Sequence, residues 1–299
     1  MTKKQLEMHD FKANYDKILD VLQQIESNSN FIPQKKKPKL SDRELLAINL
    51  TAEYMSIDSE CQLFRILPNC LSTRIERSVY NRRKRNLFSY QEEIRKRIVS
   101  RFNEFEDHFI VDSMPLEVCR LSRSNRSNIC KESNFSYPDK GFCASQQLHY
   151  YGYKLHAVCS VSGVIENMDI TPASVHDIHY LKDIKTQMKN CTLLGDKGYL
   201  SSNQQINLFE SANINLEVPM RKNQKGYIKQ PFIFRKSRKR IETLFSQLCD
   251  QFMIRRNYAK SFQGFKTRVQ SKIMALTMIQ FINKFSFDRN INNLKVSIT

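Results

Sequence analysis

Between His108 and Phe252 the spacing of apolar residues repeatedly changes period, and this alternation restricts the fold more than any other feature. The stretch "HFIVDSMPLEVC" from His108 alternates like a strand. "LHYYGYKLHAVCSV" and "VIENMDITPAS" are strand-like runs on either side of Ser162-Gly163, which reads as a two-residue hairpin turn. Then come a helical segment, "HDIHYLKDIKTQM", a strand, "CTLLGD", a helix, "SSNQQINLFESAN", and a strand, "INLEVPM". A last helix over 236–253 carries Ile241, Leu244, Phe245, Leu248 and Phe252 on its apolar side. Three strands, helix, strand, helix, strand, helix predicts an α/β architecture, a mixed sheet flanked by helices. Residues 120–147 are rich in Ser, Asn and Arg, and read as a long flexible loop.

The first hundred residues have helical periods only. Leu6, Phe11, Tyr15, Ile18, Leu19, Leu22 and Ile25 mark a helix over 3–26, and Pro33 and Pro38 frame a lysine-rich linker. Ser41 with Glu44 fits a capping box that opens a helix to about Met55. A second helix is expected near Asp58–Leu67 and a third after Ser72. The third places Leu71, Ile75 and Val79 on one side and Arg74, Arg77, Asn81 and Arg85 on another. Three short helices with a basic third suggest a helix-turn-helix module. The run Arg82-Arg83-Lys84-Arg85 has no interleaved acids, so its repulsion calls for a negative partner. A bundle with a solvated charged face is the plainer alternative. A further helix, 89–106, leads into the alternating region.

Composition supports a polyanion partner. Lys and Arg number 48 against 30 acids, a formal net charge of +18, which suits nucleic acid or an acidic membrane surface. No apolar run approaches the ~18 residues that span a bilayer; the longest, "IMALTMIQFI" at 273–282, is broken by Thr and Gln. "MTKKQLEMHD" lacks the apolar core of a secretory signal. The 8 cysteines stand singly without a C-x-x-C pair and read as reduced cytosolic thiols. A zinc site could be assembled from Cys119, Cys130, Cys143 and His149 only against the usual ligand spacing.

Three acids point to chemistry. Asp112 closes "FIV" and Asp196 closes "TLLG", so two strands terminate in carboxylates, where ligand clefts form in open α/β sheets. Two close carboxylates repel, and a divalent cation such as Mg²⁺ removes the conflict. Glu242 sits beside Ile241 at the edge of the apolar stripe of the last helix, with Arg238 four residues earlier on its side. Each acid has a plain alternative: a turn residue for Asp196, a turn cap for Asp112, a surface pair with Arg238 for Glu242. Lys154 and His156 alternate onto one strand face near the cleft, or simply pack a hairpin. His176 and Asp177 read as helix caps, with a place at the metals as the lesser reading for Asp177.

The blocks "VDSMPL", "YGYKLH", "ITPASVHD", "LGDKGY" and "RKRIETLFSQL" resemble those of DDE-type insertion-sequence transposases, most closely the group typified by insertion sequence nine-eight-two. The resemblance implies a ribonuclease H-like catalytic domain over 107–285, preceded by a helical DNA-binding region over 1–106 and followed by a tail, 286–299. It implies that Asp112, Asp196 and Glu242 are the metal-binding catalytic triad, with Asp112 bridging two Mg²⁺ ions and Mn²⁺ able to substitute. It implies double-stranded DNA partners, the element's terminal inverted repeats and its target, bound by a homodimer in the bacterial cytoplasm at the nucleoid, with no membrane. Expected DNA contacts are Arg74, Arg77, Arg82, Arg83, Lys84 and Arg85 in the helical region and Lys154, Lys197, Arg238 and Lys239 around the cleft. Related transposases carry a lysine where this chain has Cys249. The alternatives are a metal nuclease that cuts without joining, and a DNA-binding protein of the same fold without catalysis.

Overall fold

The computed structural model describes residues 10–33, 36–144, 146–220, 223 and 226–299. Leu6 and the start of the expected first helix lie outside them. The chain forms two compact units. One takes the N-terminal stretch to Arg101 with Gln247–Ala259 and Gln263–Thr299; the other takes Phe102–Ser246 with Lys260–Phe262.

In the first unit, helix α1 (Phe11–Ile25) starts at Asp10, whose carboxylate accepts the Ala13 N–H, and buries Phe11, Tyr15, Ile18, Val21 and Leu22. Helix α2 (Asp42–Tyr54) opens on the expected capping box: Ser41 Oγ accepts the Glu44 N–H at 3.2 Å, and Glu44 accepts the Ser41 N–H at 2.7 Å. Helices α3 (Glu60–Ile66), α4 (Asn69–Ser72), α5 (Arg77–Asn86) and α6 (Phe88–Ser100) follow. The third helix expected after Ser72 begins at Arg77, and Arg74, ahead of it, donates to the Lys39 carbonyl and the Glu44 carboxylate.

The acids absent from the run Arg82–Arg85 come from other helices. Arg83 pairs with Asp42 at 2.6 Å and Lys84 with Glu60 at 2.7 Å. Repulsion within the run is therefore relieved inside the chain. Arg82 is exposed and Arg85 half-exposed, and neither forms an ion pair among the described residues.

The run "IMALTMIQFI" lies in the C-terminal half of helix α10 (Phe262–Phe281), which is buried almost all round. A helix apolar on every side belongs in a core, and no helix among the described residues is long and apolar enough to cross a membrane. Two of its buried polar side chains are answered from α2: Lys272 pairs with Glu53 at 2.6 Å, and the Asn49 amide donates to Ser271 at 2.8 Å.

The second unit holds a mixed sheet of six strands: β1 (His108–Cys119), β2 (Asp139–Cys143), β3 (Leu148–Ser160), β4 (Ile165–Pro172), β5 (Cys191–Leu194) and β6 (Ile214–Glu217). The order is β2-β3-β1-β5-β6, with β4 also on β3. Strands β1–β3 and β3–β4 are antiparallel; β1–β5 and β5–β6 are parallel. This is the expected α/β sheet flanked by helices. Helices α7 (Leu181–Gln187) and α8 (Ser202–Ala212) follow β4 and β5. Leu181, Ile184, Leu208 and Ala212 pack with Phe109, Val111, Leu193 and Leu216 in one core, each large side chain worth about 1.5–3 kcal/mol on burial. Helix α9 (Phe232–Asp250) buries the expected Ile241, Leu244, Phe245 and Leu248.

Two local expectations change. Residues 120–147 contain two short 3-10 helices and strand β2, which pairs with the first half of β3. The β3–β4 loop has four residues, 161–164, in place of two: Gly163 N–H donates to Ser160 O and Ser160 N–H to Val164 O, both at 2.9 Å. Val161 and Val164 extend the expected Ser162-Gly163 turn, and Gly163 sits at φ +96°, a conformation that glycine adopts without strain.

Candidate active site

Register brings two acids together. Ile110↔Leu194 is the last paired rung between β1 and β5, and Asp112 and Asp196 each lie two residues beyond it. Strand β1 does not end at Asp112 as its sequence suggested; it runs on to Cys119, paired with β3 through Asp112↔Ala157. What ends there is the parallel pairing. After Leu194 the other chain bends away, with Gly195 donating to Glu217 O. The two strands part beyond that rung, and the carboxyl ends of parallel strands in open sheets are where ligand clefts form.

The turn at Asp196 is fixed by its own side chain, which accepts the Gly198 N–H at 2.7 Å. A Cβ on Gly198 would lie 2.9 Å from Asp196 Oδ1, so this close wrap suits glycine. Asp112 accepts the Ser113 N–H at 2.8 Å. Burial pushes its carboxyl up to about 7, the Ser113 N–H and Arg238 pull it down, and the charges of Asp196 and Asp177 push it up further. Arg238 on α9 thus lies within electrostatic reach of Asp112.

Asp177 is in the same cluster. It follows His176, the cap of a 3-10 turn (Asp177–Tyr180). Its Oδ1 accepts from Ser113 Oγ at 3.1 Å and from Lys154 Nζ at 2.9 Å, and Lys154 also donates to Val175 O at 2.8 Å. Lys154 thus reaches the cleft already paired with an acid. His156, on the same strand face, is buried and stacks on Tyr180 at 5.0 Å. Its Nε2 shares a hydrogen with Thr171 Oγ1 at 2.8 Å. Burial lowers its pKa to about 4, so the ring is neutral at pH 7.

Glu242 is exposed on α9, and the described residues contain no group of three His, Cys, Asp or Glu side chains that could hold a metal ion. The donor chemistry of the pair nevertheless suits a hard cation. Asp112 and Asp196 lie within electrostatic reach of each other, with the Asp112 carboxyl raised, and a divalent ion relieves both burial and repulsion. The buried Tyr199 hydroxyl, within electrostatic reach of Asp177, Asp112 and Asp196, has no hydrogen-bond partner among the described residues, which marks polar capacity left open beneath the cleft.

Lys197 and Lys239 are exposed and form no ion pair among the described residues. Of the helical-region cations, Arg74 is bound to Glu44, Arg77 to Cys61, Arg83 to Asp42 and Lys84 to Glu60, leaving Arg82 and Arg85 as the more available charges. Cys249 is half-buried; burial raises its thiol pKa, and the neighbouring Arg255 lowers it. Sequence reasoning missed Ser113 and placed Asp177 mainly as a cap; the one available signal was that Asp177 ends the block "ITPASVHD".

Comparison with known proteins supplies the context for this cleft. A family model described as the transposase DDE domain matches residues 103–278. No curated protein matches the chain.

Proposed function

The chain belongs to the transposase DDE-domain family, and on that footing we propose that it cuts DNA at the ends of an insertion sequence and joins the freed ends to target DNA. The insertion sequence nine-eight-two group is the proposed branch. The observation that carries the reading is the matched placement of Asp112 and Asp196 beyond one rung of parallel strands, inside a matching family domain. The proposed cofactor is Mg²⁺, which when bound supplies Lewis-acid stabilisation of the attacking and leaving oxygens of a phosphodiester.

Asp112 and Asp196 provide the hard oxygen ligands. Glu242 is assigned as the third carboxylate from the block "RKRIETLFSQL"; exposed in this structure, it has to turn toward the pair when DNA engages. Arg238, beside Asp112, is aimed at the negative charge of the scissile phosphate. Lys197 and Lys239 contact the flanking backbone. Hydrolysis at the element end frees a 3′-hydroxyl, which attacks a target phosphodiester, and neither step needs a protein nucleophile. Joining two ends calls for two copies of the site, hence a homodimer. In the helical unit, Arg82 and Arg85 are the cations proposed to reach phosphates.

The exposed Glu242 and the thiol at Cys249 favour a second reading, a DNA-binding protein of this fold without catalysis. Incubation with supercoiled plasmid carrying the element's ends, in Mg²⁺, separates the two. Cleaved and joined products that vanish in Asp112→Asn and Asp196→Asn support the transposase. Tight DNA binding without cleavage would remove it in favour of the second reading.

A further inference from the structure

Asp177 occupies an unusual position for a carboxylate beside two others. Its Oδ1 collects donors from two strands, Ser113 on β1 and Lys154 on β3. Its Oδ2 faces the turn that carries Asp196: a Cβ on Gly198 would lie 3.9 Å from it. It therefore bonds the neighbour of Asp112 and lies close to the loop of Asp196 at once. The Lys154–Asp177 pair is well shielded, with side chains 15% and 27% exposed, so their mutual attraction is stronger than that of a surface pair. The ammonium is held in place by the Val175 carbonyl as well.

We propose that Asp177 is the positioning residue of the carboxylate cleft: neutralised by Lys154, it brackets the strand bearing Asp112 and the turn bearing Asp196 without taking the cation itself. This rests on the reading of Asp112 and Asp196 as cation ligands. Lys154 is then a counter-charge to Asp177, and its contact with DNA expected from sequence is secondary. Asp196 and Asp177 both act on the Asp112 carboxyl, and Arg238 opposes them there. With Lys154 answering Asp177, Asp112 and Asp196 keep an attraction for a divalent ion.

The bracket makes opposite predictions for its two members, which a merely structural role does not. Mn²⁺ binding to the full chain without DNA is measured by calorimetry. Lys154→Met frees the Asp177 charge and tightens binding about fivefold, and Asp177→Asn frees the Lys154 charge and weakens it about fivefold, the low end of site–site couplings. The double variant returns to within about twofold of the parent, as a charge-paired cycle requires. Ser113→Ala leaves Mn²⁺ affinity unchanged but slows cleavage, and Ser113→Thr restores the rate. A double variant that binds as weakly as Asp177→Asn would make Asp177 a direct ligand and overturn the proposal. Equal weakening by Lys154→Met and Asp177→Asn would overturn it in favour of loosened packing. Parent binding insensitive to Asp112→Asn would instead remove the cation reading on which the bracket rests, a distinct failure.

Discussion

Replacing Asp112 with Asn should make the protein more stable above neutral pH while leaving it almost unchanged in acid. The carboxyl rises from 3.8 to about 7 on folding, mainly by burial. A raised carboxyl pKa means that the native state holds its proton more tightly than the unfolded chain. The associated stability is fully present below pH 3.8 and is lost as pH climbs to about 7. At about 1.36 kcal/mol for each pH unit between those values, the ceiling is ~4 kcal/mol, and partial solvent access to the side chain reduces this to ~2 kcal/mol. Asn keeps the acceptor for the Ser113 N–H and never ionises. In a metal-free buffer the variant and parent should melt together near pH 4. By pH 8 the variant should lead by ~4–8 °C, the shift that ~2 kcal/mol gives a domain of this size. Taking the difference between the two proteins cancels the carboxylates that titrate elsewhere, such as Glu60 and Glu92, both held low by basic partners despite burial. Thermal melts at half-unit pH intervals read the gap. Adding Mg²⁺ at pH 8 should close it from the parent's side, because the ion binds the ionised pair and not the amide. A gap that stays flat from pH 4 to 8 would refute the burial argument; a gap indifferent to Mg²⁺ would refute the cation site.

Other substitutions test neighbouring claims. Arg82→Ala and Arg85→Ala should each flatten the salt slope of DNA binding by about 0.9 without loss of stability, whereas Arg83→Ala should cost about 3 kcal/mol by stranding buried Asp42; binding isotherms at several salt concentrations and denaturant melts distinguish them. Cys249→Lys should tighten binding to the element's ends by about 1–3 kcal/mol at most, and no gain would assign that phosphate to Arg255. Gly163→Ala should cost about 1–3 kcal/mol, since it needs a positive φ and its Cβ would collide with the Arg240 guanidinium; a smaller loss in denaturant melts would mean that the β3–β4 loop relaxes. Tyr199→Phe should leave the metal-free protein as stable or raise its melting point, because the hydroxyl is buried without a partner among the described residues.

The alternation of periods was enough to mark β1, β3, β4 and α9, because each is long and packs an apolar face. Strand β2 escaped because an edge strand needs little apolar content: Phe142 is exposed, and Asp139 and Lys140 point to solvent. The pairing of Asp112 with Asp196 could be anticipated from two strand-terminal acids, but their common rung could not. Burial of the basic run was hidden for a related reason. Asp42 lies 41 residues from Arg83, and Glu60 lies 24 from Lys84, so no window of sequence shows them as partners. Asp177 reads as a cap because its neighbours in sequence form a turn; Ser113, 64 residues away, and Lys154, 23 away, become visible only in the folded sheet.

The shared rung Ile110↔Leu194 also bears on how such a gene decays. Side chains alternate along a strand, so loss of one codon within 191–196 shifts the downstream residues by one place against β1 and turns Asp196 away from Asp112. The apolar residues of α8, α9 and the helical unit are untouched by that loss. A mobile element disabled in this way would lose the matched placement of its two strand-end carboxylates, and the β5 core residue Leu193 with them, while its helices stay encoded.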